Sequence, residues 1–146
     1  MESRTKEPDS QNWQTLLGRW AIDASHPILP ADEIRGEMTC EWLDGHRLLM
    51  QRSHYDHPKM PDAIAVFGVI DHQLSSHYFD SRAVHRVFTV SFIGRTLRYV
   101  RNAAGFSQRF TLTVSNDGNT MTGRVELSRD GTTWENDLAI TYQRVR

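Results

Sequence analysis

The chain is predicted to be all-β, with about ten antiparallel strands running up and down, closed into a barrel, and a short N-terminal helix covering one end. Three observations carry this prediction. Apolar and polar residues alternate through most of the chain, short Gly- and Asp-containing turns separate the alternating runs, and no helical run is long enough to cover a sheet. Short turns make consecutive strands neighbours, and a meander closed on itself has no exposed edge. A β-sandwich is the competing arrangement, and it would need Greek-key crossings that these turns do not favour.

The first elements are short. Residues 1–10 are polar and read as a flexible tail, which leaves residues 11–146 as a single barrel domain. Ser10 or Asn12 caps a helix carrying Trp13, Leu16 and Leu17 and ended by Gly18. A first strand over 19–24 leads to a loop, 25–33, that contains Pro27 and Pro30. In the next strand, 34–43, Gly36, Met38, Cys40 and Trp42 alternate with Arg35, Glu37, Thr39 and Glu41. A two-residue turn at Asp44-Gly45 then sets Cys40 against Leu49, Met38 against Gln51 and Glu37 against Arg52. The dry face of the strand after this turn is Leu49, Gln51, Ser53 and Tyr55. A second proline loop covers 56–62. The strand at 63–70 is almost wholly apolar, so alternation does not reveal its facing. Strands at 76–80, 84–92 and 96–101 follow, the last two joined at Gly94, which aligns Phe88, Val90 and Phe92 with Leu97, Tyr99 and Arg101.

The last third gives the firmest register. Asn116-Asp117-Gly118-Asn119 and Arg129-Asp130-Gly131-Thr132 separate three alternating runs. Asp-Gly suits the positive φ angles of a tight hairpin turn. Counting across two-residue turns pairs Val114 with Met121, Leu112 with Gly123 and Phe110 with Val125. Across the second turn it pairs Leu127 with Trp134, Gly123 with Leu138 and Met121 with Ile140. All of these are apolar or Gly and share one face. Arg109, Thr111, Arg124, Glu126 and Asp137 take the other. A slip of one residue would exchange the two faces.

Composition narrows the function classes. The chain of 146 residues has a formal net charge of -1 and one cysteine, Cys40. No basic stripe is evident, so no nucleic-acid partner is expected. No run approaches the ~20 apolar residues of a membrane span, and no signal core precedes residue 11, so no membrane partner is expected and the protein reads as cytoplasmic.

Leu17-Gly18-Arg19-Trp20, between the helix and the first strand, resembles the Gly-x-Trp signature of the calycins, the superfamily of lipocalins and fatty-acid-binding proteins. In that family a basic residue on the last strand packs over the tryptophan, and Arg144 occupies the matching place, with Tyr142 on the same face. Trp42-Leu43-Asp44-Gly45-His46-Arg47-Leu48, Gly68-Val69-Ile70-Asp71, Tyr78-Phe79-Asp80-Ser81 and Tyr142-Gln143-Arg144-Val145 extend the likeness to a group of uncharacterised bacterial calycin-like proteins. The resemblance implies barrel closure by Trp20 and Arg144. With that end closed, the turns at 44–45, 94 and 117–118 fall beside it, and both proline loops fall at an open mouth. The 81–83 and 102–105 loops fall there too.

Function is expected inside the barrel: binding of a small, largely apolar ligand, carboxylate-bearing in its sharper form. The counted registers turn Gln51, Ser53, Tyr55, Tyr99, Arg101, Gln108 and Asn136 inward, and buried polar groups need partners. Phe106, beside Arg101, and Trp134, opposite Leu127, complete the expected ligand-binding set. Arg101, at the mouth end of its strand, suits a bidentate carboxylate. No catalytic residue is assigned. Ser53, His54 and Asp80 supply the types of a hydrolytic triad without a nucleophile elbow, and Cys40 has no evident base. An isomerase- or cyclase-type enzyme with Tyr55 or Tyr99 as proton donor is the first alternative. A haem-binding barrel is the second. A related barrel group holds haem through a histidine on a late strand, whereas none follows His85 here. No zinc-type spacing joins His54, His57, His72, His77 and His85, so neither metal nor cofactor is expected. A third reading is a scaffold without a ligand that pairs into a homodimer, with Leu48 and Met50 outward.

Overall fold

The structure, a computed structural model, describes residues 10–26, 29–43 and 45–146. All of the expected tail except Ser10 lies outside these residues, as do Pro27, Ile28 and Asp44. Among the described residues one helix, α1 (Ser10–Gln14), precedes the strands β1 (Gly18–His26), β2 (Leu29–Trp42), β3 (Leu48–Tyr55), β4 (Ala63–Ile70), β5 (Gln73–Asp80), β6 (His85–Ile93), β7 (Thr96–Arg101), β8 (Ser107–Val114), β9 (Thr120–Ser128) and β10 (Glu135–Val145). Each strand pairs antiparallel with its chain neighbours, and β10 returns to β1 to close the barrel. The inward faces carry the apolar sets: Trp20, Ile22 and Ala24 on β1, Phe88 and Val90 on β6, Leu112 and Val114 on β8. On β4, whose facing alternation left open, Ala65 and Phe67 are buried.

Two registers depart from the two-residue-turn count, and one expected loop is strand. Between β2 and β3 the Leu43 N–H donates to the Leu48 carbonyl, so Leu43 lies opposite Leu48 and not His46. Cys40 therefore lies opposite Gln51, Met38 opposite Ser53 and Glu37 opposite His54. The slip is by two residues, so Leu49, Gln51, Ser53 and Tyr55 keep their face although the Glu37–Arg52 pair is lost. Between β9 and β10 the connection is longer, and Asp130 organises it. Its carboxylate accepts the N–H groups of Thr132 and Thr133 at 2.8 and 2.7 Å, and the Ser128 hydroxyl accepts that of Gly131. Leu127 pairs with Glu135 rather than Trp134. A bulge between Asn136 and Leu138 then brings Leu138 opposite Val125, Ile140 opposite Gly123 and Tyr142 opposite Met121. The expected 25–33 loop is mostly strand, since β2 begins at Leu29 and His26 pairs with Leu29 across a bulge. Pairing of β2 with β3 stops at Gly36, so Pro30, which cannot donate, lies where no β3 partner needs it to. The β6–β7 and β8–β9 registers match the count, with Val90 opposite Tyr99 and Phe110 opposite Val125.

The closed end is dry. Trp13 and Leu16 plug it, and the Trp13 ring packs against Phe67 and Phe92 at 5.7 and 5.2 Å between centroids. Trp20 is wholly buried and donates its indole N–H to the Leu16 carbonyl at 2.9 Å. The Arg144 guanidinium lies 4.2 Å over the Trp20 ring and donates to the carbonyls of Thr15, Leu17 and Gly118. Gly18 adopts φ +116°, and a Cβ there would come within 3.0 Å of the Arg144 side chain. The glycine of the Gly-x-Trp sequence thus serves both the backbone conformation and the arginine's approach. Leu48 and Met50 are half-buried, whereas Phe79, Val87, Ile93 and Val145 are the exposed large apolar residues among those described.

Candidate ligand-binding cavity

Above that plug the inward faces enclose a cavity of about 410 Å³, a volume in the range of small-molecule sites. His57, Lys59, Met60 and Pro61 of the 56–62 loop and His26 at the end of β1 line it opposite the closed end, so the mouth lies at the proline-loop end. One wall, on β6–β8, is aromatic. Tyr99 and Phe110 stack at 4.5 Å and 10°, and Phe88 meets each of them edge-on at 5.5 Å. Ile34, Ala63, Ala65, Val125, Leu138 and Ile140 make the remainder largely aliphatic. Ring faces on one side and branched chains on the other favour a flat apolar guest.

Polar groups enter at two levels. Deep in the cavity lie Gln51, Tyr99 and Tyr142, with Ser53 and Tyr55 above them. Burial pushes the phenols of Tyr99 and Tyr142 well above their ordinary value, and that of Tyr55 upward against a hydrogen bond with Ser53. Cys40, behind Gln51, is pushed up to about 12 by burial, partly offset by its bond with that amide. These groups stay protonated across the physiological range. They are hydrogen-bonding groups, poorly suited to giving up a proton.

At the mouth, part of the charge is paired. The buried Asp80 carboxylate accepts from Arg82 at 2.7 Å and from the Tyr78 hydroxyl at 2.8 Å. Those bonds, Arg82 first, hold it well below the usual carboxylate range, while burial and the bond to Asp80 raise Tyr78. Asp137 lies 3.4 Å from His26. Arg86 differs. Its guanidinium donates to the Gln108 amide oxygen at 2.8 Å and sits 5.3 Å from the Phe106 ring centroid, and no carboxylate among the described residues pairs with it.

No protein-family model matches the chain, and no curated protein matches it. Solved structures do. The chain superposes on Rv2717c from M. tuberculosis with a TM-score of 0.68 at 15% identity, covering 95% of this chain and 98% of that one. It superposes on the wild-type fluorescent protein UnaG with a TM-score of 0.58 at 17% identity, covering 90% and 98%. The fold is calycin-like. At such identities the likeness carries architecture and not chemistry.

Within this calycin-like barrel the expected ligand-binding residues divide. Gln51, Ser53, Tyr55, Tyr99, Phe106 and Gln108 line one cavity. Arg101 does not. It sits at the mouth rim and donates to the Phe106 carbonyl at 3.0 Å, so it holds the 102–106 loop. Trp134 lies outside, with the Arg109 guanidinium 4.0 Å over its ring and Glu126 bound to the same arginine. Asn136 is exposed, because the β10 bulge turns it outward and brings Asp137 to the lining instead. Sequence reasoning passed over Arg86, Tyr78 and Tyr142 as lining residues. Arg86 shares the parity of Phe88 and Val90, so the alternation of β6 already pointed it inward. Of the hydrolytic-triad types, Ser53 faces the cavity, His54 lies outside between Asp56 and Asp62, and Asp80 is bound to Arg82. Among the described residues no group of three or more His, Cys, Asp or Glu is placed to hold a metal ion.

Proposed function

We propose that this chain binds a small, largely apolar ligand inside its barrel. The observation that carries the reading is the cavity itself: about 410 Å³, plugged at one end, open at the other, and walled by rings and branched chains with few polar groups. A stable protein gains by packing such a volume, so leaving it hollow needs a reason outside folding. The fixed polar groups argue for orientation of a guest, and the raised phenols argue for holding it over proton transfer. An acidic group on the guest is the finer form of the proposal, supported by the surplus of cations among the mouth's lining residues.

Native mass spectrometry of the purified protein, followed by denaturing extraction, tests this directly. The expected result is a bound mass that leaves on denaturation and is returned unchanged. Ala65→Trp, which projects an indole into the cavity from β4, should abolish retention in a chain that keeps its far-ultraviolet strand signal. Retention undiminished in that variant would place the bound compound elsewhere.

A further inference from the structure

We propose that the guest is an aromatic anion bound with its charge at the mouth, on Arg86 and Gln108, and its ring system pointing inward along Phe88, Phe110 and Tyr99. This rests on the ligand reading above and names its chemistry and orientation. Four observations converge on it. Arg86 lines the cavity, and its described partners, the Gln108 amide oxygen and the Phe106 ring, are both uncharged. A guanidinium has five donors in a planar fork, and that one side-chain bond leaves the rest to be met by water or by an oxyanion. The neighbouring cation Arg82 is already neutralised by Asp80, and the lining carboxylate Asp137 faces His26, so neither competes for the role. Gln108 and Phe106 fix the guanidinium against the aromatic wall, which places a bound carboxylate at the upper end of the ring stack.

The deep end fits a different part of the guest. Gln51, Tyr99 and Tyr142 offer an amide and two protonated phenols there, and no cation among the described residues lines that level. A charge buried at the floor would be held by neutral groups alone, at a large desolvation cost. A neutral hydroxyl or carbonyl meets them well. Head-out binding therefore follows from where the cations stand.

The test uses two fluorescent probes of one size, anthracenecarboxylate and anthracenemethanol substituted at the same ring position. Both are titrated against the full chain and against Arg86→Gln, Arg86→Lys and Arg101→Gln. The acid should bind the native chain more tightly than the alcohol by about tenfold or more, the factor expected of hydrogen bonds to a charged group. Arg86→Gln should collapse that ratio by weakening the acid while the alcohol holds. Arg86→Lys should keep part of it, and Arg101→Gln should keep all of it. Equal binding of acid and alcohol by the native chain overturns the assignment and leaves the cavity as a ligand site, as does a ratio unchanged in Arg86→Gln. If Arg86→Gln loses both probes, Arg86→Lys decides: a ratio kept there upholds the assignment, and one lost there overturns it. Failure of both probes to bind the native chain overturns the ligand reading and this one with it.

Discussion

Each end of the barrel lays an arginine over an aromatic ring, Arg144 over Trp20 at 4.2 Å and Arg86 over Phe106 at 5.3 Å. Their remaining contacts differ. Arg144 gives hydrogen bonds to three backbone carbonyls from the first residues of the domain and the β8–β9 turn, so it ties the two ends of the chain together. Arg86 gives one, to a side-chain amide that itself lines the cavity. The same pair of residue types is mostly satisfied in one place and receptive in the other. A cation with four of its five donors met by the protein stabilises the fold, whereas one left with a single side-chain bond beside a cavity is available to a guest.

Replacing each arginine by methionine, which keeps length and removes charge, should give the largest separation. Arg144→Met uncovers carbonyls at the closed end and should cost about 3 kcal/mol, read as a lower urea midpoint. Arg86→Met should change stability by no more than about 1 kcal/mol, because only its bond to Gln108 is lost. Similar losses in both variants would erase the distinction between the ends.

Asp80 is the mouth's own structural anchor and should rank next. It holds Arg82, Tyr78 and the Arg82 backbone N–H. Asp80→Asn should cost about 2 kcal/mol at neutral pH, with the share owed to the half-exposed Arg82 reduced by solvent screening. Its carboxyl titrates lower in the folded chain than in the unfolded one, where about 3.9 is usual. That stabilisation is complete above the unfolded value and is lost as the pH falls towards and through the folded one. Asp117 and Asp130 are also held low by backbone N–H groups, so the native chain keeps part of its acid limb in the variant. Denaturation midpoints should therefore converge for native and Asp80→Asn chains as the pH drops below about 4. A gap that stays constant with pH would show that Asp80 acts through shape and not charge.

What the sequence disclosed divides between strand facing and strand register. Strand facing was readable because alternation has a period of two, and a two-residue error in the β2–β3 loop left Gln51, Ser53 and Tyr55 on the correct side. Register was readable where the loop kept the counted length, as at Gly94 and Asp117-Gly118. The Ser-x-Asp pairs 115/117 and 128/130 bond alike, yet only the β9–β10 connection holds an extra residue, and nothing in the sequence separates the two. The bulge at Asn136 is an odd-numbered insertion, which is why it exchanged Asn136 for Asp137 at the cavity. Arg101 shows a different limit. Parity turns it towards the interior, but a long side chain at a strand end also reaches the next loop's backbone, and the Phe106 carbonyl captured it. Arg86 had the same parity and no such acceptor.

The smallest expected effect is at the outer rim, where His54 bridges the two ends of the 56–62 connection. Its Nδ1 lies 2.8 Å from Asp62 and its Nε2 3.3 Å from Asp56. The hydrogen bond with Asp62, its charge, and the weaker contribution of Asp56 raise the His54 pKa. The unfolded chain protonates histidine near about 6.5. The bridge therefore contributes in full below that value and is lost as the pH rises through the higher folded one. Both partners are solvated, so global stability should barely move. The local consequence is sharper, because Met60 and Pro61 of this connection line the cavity. Amide exchange across 56–62 should quicken as the pH rises through the His54 titration, beyond the intrinsic pH dependence. His54→Gln should show the faster rate throughout, with no such step. An identical step in the variant would assign it to another group, and would leave the mouth loop held by its backbone alone.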